Sequence, residues 1–238
     1  GRLTLAISLL DEVFEIAADP DEDVRPETLS QARYLWFDIK RRRGQYSAVR
    51  AALTRPDAPA GPKFSRLLAS IHRATGEYDA AVAVHRKLLA ADPDDAVARY
   101  ALGELLLYTG AHASAKKEID ACIDRGRDAK SAQQLTAIAR AHVALGGRGN
   151  IETASRLLIE AIDKDENAIE PLLALGQLKF EVYGEAAGYP SGEADLKQVL
   201  KRHGDIEAAL VGLYRIRRSN MNLDYSRTGE YLERALAQ

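Results

Sequence analysis

The chain has 238 residues, 33 of them Lys or Arg and 35 Asp or Glu, so its formal charge at pH 7 is −2. That balance excludes a globally cationic surface of the kind that holds nucleic acid or an anionic membrane by bulk charge. The 46% hydrophobic and 29% charged residues belong to a folded rather than a disordered protein, and the single cysteine, Cys122, excludes an internal disulfide framework or a multi-cysteine metal centre. No stretch approaches the roughly 18 uninterrupted apolar residues of a membrane span. The opening residues lack the shape of a signal peptide, and Gly1 stands where an initiator methionine is expected, as in a piece of a longer chain.

In chain order, helices are expected at 3–18, then in pairs at 28–43 and 46–54, 62–75 and 78–91, 96–109 and 112–125, 131–145 and 151–164, 169–183 and 193–203, and 206–218 and 226–237. The breaks between paired helices fall at glycines: Gly44, Gly76, Gly110 and Gly146, spaced by 32, 34 and 36 residues. A period near 34 is the mark of a stacked array. Around each glycine the frame repeats. Leu68-Ala69 and His72 precede Gly76, and Tyr78, Ala81, His85 and Pro93 follow it. Leu102-Gly103, Leu106, Gly110, Ala115, Ile119 and Cys122 form the next copy; Ile138-Ala139, His142, Gly146, Ala154, Leu158 and Ala161 form the third; Trp36-Phe37, Lys40, Gly44, Tyr46, Val49 and Leu53 form a looser one. Small residues at Ala69, Gly103, Ala139 and Gly176, facing Ala81, Ala115 and Ala154, let two antiparallel helix axes approach, while large ones fill the holes between turns. Glycine ends the first helix in a left-handed backbone conformation. The prolines of Asp92-Pro93 and Asp19-Pro20 stop the second, and Asp94 and Asp95 are placed to cap the next.

This frame resembles the tetratricopeptide repeat family along essentially the whole chain, most closely over 62–125. The resemblance implies an all-α, right-handed superhelical solenoid of antiparallel helix pairs. One solenoid over 1–238 is expected, with a partial repeat at 1–27, repeats at 28–61, 62–95, 96–129, 130–168 and 169–205, and an incomplete last repeat at 206–238. Since solenoids need polar caps, the chain reads as a segment of a longer array. Its exposed end helices would then be a route to oligomers.

Local motifs give no chemistry. His72 and His142 occupy the slot where the family usually carries tyrosine, four residues before a turn glycine; His85 and His112 also fall at packing positions, and His203 at a helix C-terminus. No histidine pair has metal-ligand spacing. Cys122 reads as a small buried thiol, and Gly146-Gly147-Arg148-Gly149-Asn150 as a widened turn without the Lys-Ser/Thr ending of a phosphate loop. The acidic turns lack the glycine and distal glutamate of a calcium loop. No catalytic residue, metal or cofactor is expected, and the chain is not expected to be an enzyme.

In tetratricopeptide arrays the first helix of each pair lines a concave groove that takes an extended peptide or a helix. Carried over, the groove positions are Gln31, Tyr34, Asp38, Arg41 and Arg42, then Lys63, Arg66, Ser70 and Arg73, then Val97, Tyr100, Glu104 and Tyr108, then Gln133, Thr136 and Arg140. Basic residues and tyrosines dominate, which implies an acidic protein or peptide partner anchored by the side chains best suited to interfaces. Ser70, Ala101, Gln133 and Ala137 stand where the family's clamp for C-terminal carboxylates needs other residues, so that mode is not expected. Stacked turns would bring Arg148, Tyr189, Asn220, Asn222 and Tyr225 to one edge. The functional expectation is a non-enzymatic interaction scaffold; the alternative is a helical appendage of a larger enzyme whose catalytic domain lies elsewhere. No nucleic-acid partner and no membrane insertion are expected. A soluble protein of the cytoplasm or bacterial periplasm fits one cysteine equally well.

Overall fold

The structure is a computed structural model that describes residues 2–18, 24–183, 192–204, 206–219 and 225–237; side chains 2–4, 181–183, 217–219 and 225–228 lie outside the described set. Its helices are α1 (Arg2–Ile16), α2 (Pro26–Arg42), α3 (Tyr46–Leu53), α4 (Pro62–Ala74), α5 (Tyr78–Ala91), α6 (Ala96–Tyr108), α7 (His112–Arg125), α8 (Ala132–Leu145), α9 (Arg148–Lys164), α10 (Ile169–Tyr183), α11 (Glu193–His203), α12 (Glu207–Ser219) and α13 (Tyr225–Leu236), with a short 3-10 turn over Gly126–Asp128. No strand occurs among the described residues. The expected all-α helical repeat is present.

The turn glycines act as the sequence requires. Gly44, Gly76, Gly110 and Gly146 have φ of 73°, 78°, 81° and 68°, a region that costs other L-residues steric strain. After α2, α4 and α6 the bonding is the same. The glycine N–H donates three residues back (to Arg41, Arg73 and Leu107), and the next N–H donates five back (Gln45 to Lys40, Glu77 to His72, Ala111 to Leu106) at 2.8–3.2 Å. Both bonds satisfy carbonyls left open at the helix end. The Asp19-Pro20 turn lies outside the described residues.

Two compact units divide the chain, Gly1–Pro93 and Asp94–Gln238. In the first, α1 packs on α2, α3 on both α2 and α4, α2 on α4, and α5 on α4. Its core is aromatic. Phe14 meets Trp36 edge-on at 6.2 Å, Trp36 meets Phe37 at 5.3 Å, Phe37 meets Phe64 at 6.4 Å, and Phe64 meets Tyr34 at 6.1 Å, each pair T-shaped. Such contacts stabilise by about 0.5–1.5 kcal/mol per pair beyond area burial.

In the second unit each helix packs on its successor from α6 to α13, with the short 3-10 turn lying between α7 and α8. The first helices of successive pairs also touch: α6 on α8, α8 on α10, α10 on α12. This core is aliphatic, built on Leu102, Leu105, Ile119, Ile138, Leu158, Leu172, Leu175, Leu196, Leu210 and Leu213, all 5% exposed or less. Cys122 is buried as expected, its thiol 3.4 Å from the Ala96 carbonyl oxygen, and burial raises its pKa to about 12.

Three local readings are corrected. Helix α9 begins at Arg148, so the turn after α8 contracts to Gly146 and Gly147. Asn150 sits inside the helix and bonds the Gly146 carbonyl at 2.7 Å and His142 Nδ1 at 2.9 Å. His112, the first residue of α7, is exposed at the helix start rather than packed between helices. Of the two aspartates placed to cap α6, Asp95 does so, accepting from the Ala98 N–H at 3.0 Å, whereas Asp94 pairs with Arg125 at 3.1 Å.

Candidate partner-binding site

In the first unit the first helices α2 and α4 lie side by side, and their repeat-equivalent positions meet. Lys63 Nζ on α4 comes within 3.5 Å of Gln31 Oε1 on α2 and stands over two rings, 5.8 Å from the Tyr34 centroid and 5.2 Å from that of Phe64. An ammonium so placed is attracted by the ring faces while its head stays in water.

One turn along α2, Asp38 is buried to 9% exposure and clasped twice. Arg41 donates to Oδ1 from Nε at 3.0 Å and from NH2 at 2.7 Å, and Arg42 Nε donates to Oδ2 at 2.8 Å. Asp38 is therefore no groove contact but the buried counter-ion that fixes Arg41 and Arg42, and the cluster keeps one net positive charge. On α4, Arg66 is half-buried and Arg73 exposed, and Ser70 turns its hydroxyl onto the Leu67 carbonyl at 2.7 Å. Together α2 and α4 carry Arg33, Lys40, Arg41, Arg42, Lys63, Arg66 and Arg73 against Glu27 and Asp38. This pair of helices is cationic although the chain is not.

Beside it, at the turn after α4, Glu77 gathers three groups. His72 Nδ1 lies 2.7 Å from Oε2, Arg50 NH1 from α3 bonds Oε1, and Thr75 Oγ1 donates to Oε1 at 3.2 Å. The His72 hydrogen bond, then that of Arg50, holds the Glu77 carboxyl below its ordinary pKa.

In the second unit, α6 presents Tyr100, with its hydroxyl within 3.5 Å of Glu104 Oε1, and Tyr108, 71% exposed at the helix end. Neighbouring α8 presents exposed Gln133 and half-buried Arg140. Thr136 was expected in the groove but is 4% exposed. Its hydroxyl donates to the Ala132 carbonyl at 2.7 Å, which satisfies it inside the helix pack.

Further along the same unit a groove of about 540 Å³ opens between α10 and α12, lined by Gln177, Phe180, Glu207, Ala208, Val211 and Arg215 over a floor that includes Leu196. Sequence reasoning missed these residues. Carrying the repeat frame forward from Gly176 and Gly212 puts Gln177 and Phe180 at the positions held by Ser70 and Arg73 on α4, which would have found them. Of the edge patch, Arg148 is exposed and pairs with Glu152 at 2.9 Å; Tyr189, Asn220 and Asn222 and the Tyr225 side chain lie outside the described residues.

Among the described residues no group of three His, Cys, Asp or Glu side chains is placed to hold a metal ion, and no helix is long and apolar enough to cross a membrane.

Helical hairpins closed by a left-handed glycine, with the first helix of one pair packed on the first helix of the next, define a helical-repeat protein. Residues 62–105 match the family model for the tetratricopeptide repeat. Solved structures of such proteins share the fold. A thermophilic tetratricopeptide repeat protein of Thermus thermophilus is 23% identical, with 73% of this chain and 89% of that one covered and a TM-score of 0.56. A tetratricopeptide repeat protein of Parabacteroides merdae is 18% identical over 98% and 92%, with a TM-score of 0.50. Human IFIT1, solved as a dimer with PPP-AAAA, is 14% identical over 99% of this chain and 55% of its own, with a TM-score of 0.62. No curated protein matches the chain. Residues 62–105 carry a tetratricopeptide repeat, and the chain shares the helical-repeat fold of these solved structures.

Proposed function

We propose that the protein is an interaction scaffold that takes an acidic peptide or helix on the first-helix faces of its repeats. The observation that carries this reading is the pair α2 and α4, where Tyr34, Lys63 and Gln31 meet and Arg41, Arg42, Lys63, Arg66 and Arg73 stand against Asp38. Arg41, Arg42, Lys63, Arg66 and Arg73 select charge there, and Tyr34 supplies rigid apolar contact. In the second unit Tyr100, Tyr108, Gln133 and Arg140, with Glu104 among them, offer contact area with little net charge. A scaffold rather than an enzyme is the usual role of this repeat family, and the acid–base groups brought together at Glu77 are satisfied by one another.

Titration calorimetry with an acetylated Glu-Glu-Leu-Glu-Asp-Leu-Glu peptide tests the reading. Binding is expected in the micromolar range, weakening as salt rises because exposed charge pairs are screened, and is lost in Arg66→Glu/Arg73→Glu. Absent or salt-independent binding overturns it.

A further inference from the structure

The groove between α10 and α12 differs in chemistry from the cationic face of the first unit. Its floor is set by Leu196, fully buried, which reaches up from α11 between Gly176 and Gly212. A Cβ at the first would stand 2.8 Å from Leu196 Cδ2 and at the second 2.7 Å from Cδ1. The two backbones leave that space to Leu196, and Phe180, Ala208 and Val211 extend the apolar surface.

The charged groups sit at opposite ends. Glu207 and Arg215 are both exposed and lie eight residues apart on α12, about 12 Å along the axis at 1.5 Å per residue. Gln177 faces them from α10, and neither charge has an ion-pair or hydrogen-bond partner among the described residues. An apolar trough with an acid at one end and a cation at the other is complementary to a segment with a basic residue, a central apolar residue and an acidic residue. An extended peptide advances about 3.3 Å per residue, so charges four residues apart, with the apolar side chain midway, match the span of about 12 Å.

We propose that the α10–α12 groove binds an extended peptide segment of opposite end charges around one apolar anchor, of the pattern Lys-x-Leu-x-Glu. This inference shares with the functional reading the premise that first-helix faces receive the partner. It concerns a different surface, different residues and a different peptide.

Three acetylated, amidated peptides test it by fluorescence anisotropy: Lys-Ala-Leu-Ala-Glu, Glu-Ala-Leu-Ala-Glu and Lys-Ala-Leu-Ala-Lys, each extended by one alanine at both ends and labelled. The titrations use the full chain carrying Arg66→Glu/Arg73→Glu, which silences the acidic-peptide face of the first unit. The mixed-charge peptide is expected to bind about tenfold tighter than the other two. Glu207→Lys should make the doubly acidic peptide the tightest, and Arg215→Glu the doubly basic one; both positions are exposed, and circular dichroism checks that the helices persist. Equal affinities, an unchanged rank order in the variants, or no binding by any peptide overturns the proposal. Failure of the acidic peptide on the unmodified chain would instead overturn the first-unit reading and leave this rank order intact.

Discussion

The first helix pair of each unit, α2–α3 and α6–α7, solves the same packing problem with opposite side chains. Seven residues before the turn glycine each first helix has a slot facing its partner. In the first unit that slot holds Phe37 in α2 and Ala69 in α4; in the second it holds Gly103 in α6 and Ala139 in α8. Where the slot is a ring, the core is a chain of aromatic edges from Phe14 through Trp36 and Phe37 to Phe64 and Tyr34. Where it is glycine, a branched aliphatic side chain from the facing helix takes the space: a Cβ at Gly103 would meet Ile119 Cγ1 at 2.9 Å. Where the first helix leaves the slot empty, the facing helix supplies the side chain that fills it. Helix starts differ in the same way. Pro26 and Pro62 open α2 and α4 with no side-chain cap, whereas Asp95 caps α6 and Ser131 closes a capping box with Gln134 at the start of α8.

Native reporters allow the comparison to be tested, since the single tryptophan, Trp36, lies in the first unit and the single cysteine, Cys122, in the second. Phe37→Ala is the largest expected perturbation. It removes a ring 7% exposed from the middle of the aromatic chain, and truncations of this kind cost about 3–5 kcal/mol. The urea midpoint read by Trp36 fluorescence should fall by that equivalent, and the midpoint read by Cys122 alkylation should fall less. Equal shifts at both reporters would mean that the two cores do not behave as separate ones.

Filling a glycine slot in the second unit should cost somewhat less. Gly212→Ala presses on Leu196, which cannot swing away because Gly176 closes the other side, so about 1–3 kcal/mol is expected. Leu196→Val withdraws the δ-carbons nearest the new methyl, and the double variant should cost less than the sum of the two changes. Additive costs in the Cys122-reported midpoint would show that the glycine is not there for Leu196.

The helices and their turns were legible because glycine at positive φ and proline at a helix start are local requirements: all thirteen described helices start and end within three residues of the positions expected from sequence. What was not legible depends on side chains folding back. Asp38 was placed in the groove because its slot faces inward, but Arg41 and Arg42 lie within reach on the same helix and draw it down. Thr136 was misplaced for a related reason, since a threonine can satisfy its hydroxyl on the carbonyl four residues back and be buried. Three glycines and an asparagine over 146–150 read as a loop, which puts the expected start of α9 three residues late. Yet Asn150 bonds both the Gly146 carbonyl and His142, and the Arg148–Glu152 pair spans the first turn. Of the expected contacts, Gln31, Tyr34 and Lys63 are brought together by geometry, while the α10–α12 groove lay where the repeat frame is faintest.

A cap deletion sharpens the contrast in helix starts. Asp95→Ala leaves the Ala98 N–H of α6 without its acceptor and should cost about 1 kcal/mol, while Asp95→Asn, an equally good cap, should restore most of it. Pro62→Ala removes no bond. Its cost of about 0.4–1 kcal/mol would come from greater freedom of the unfolded chain, and no conservative replacement of the cap type should rescue it.

The smallest expected difference sits at the histidine slot itself. His72 in the first unit and His142 in the second each meet a partner from just beyond the turn glycine, but the partner is the carboxylate of Glu77 in one and the neutral amide of Asn150 in the other. Because the folded Glu77 carboxyl titrates below its ordinary value of 4.5, its contribution to stability is complete above that pH and is lost as pH falls through the lower, folded value. The Trp36-reported midpoint should therefore decline between about pH 6 and pH 3 more steeply in the native chain than in Glu77→Gln. Asn150 carries no proton to gain, so Asn150→Ala should leave the acid slope of the Cys122-reported midpoint unchanged while lowering it at every pH. Parallel acid slopes for the native chain and Glu77→Gln would show that the three groups around Glu77 hold the turn by shape and not by charge.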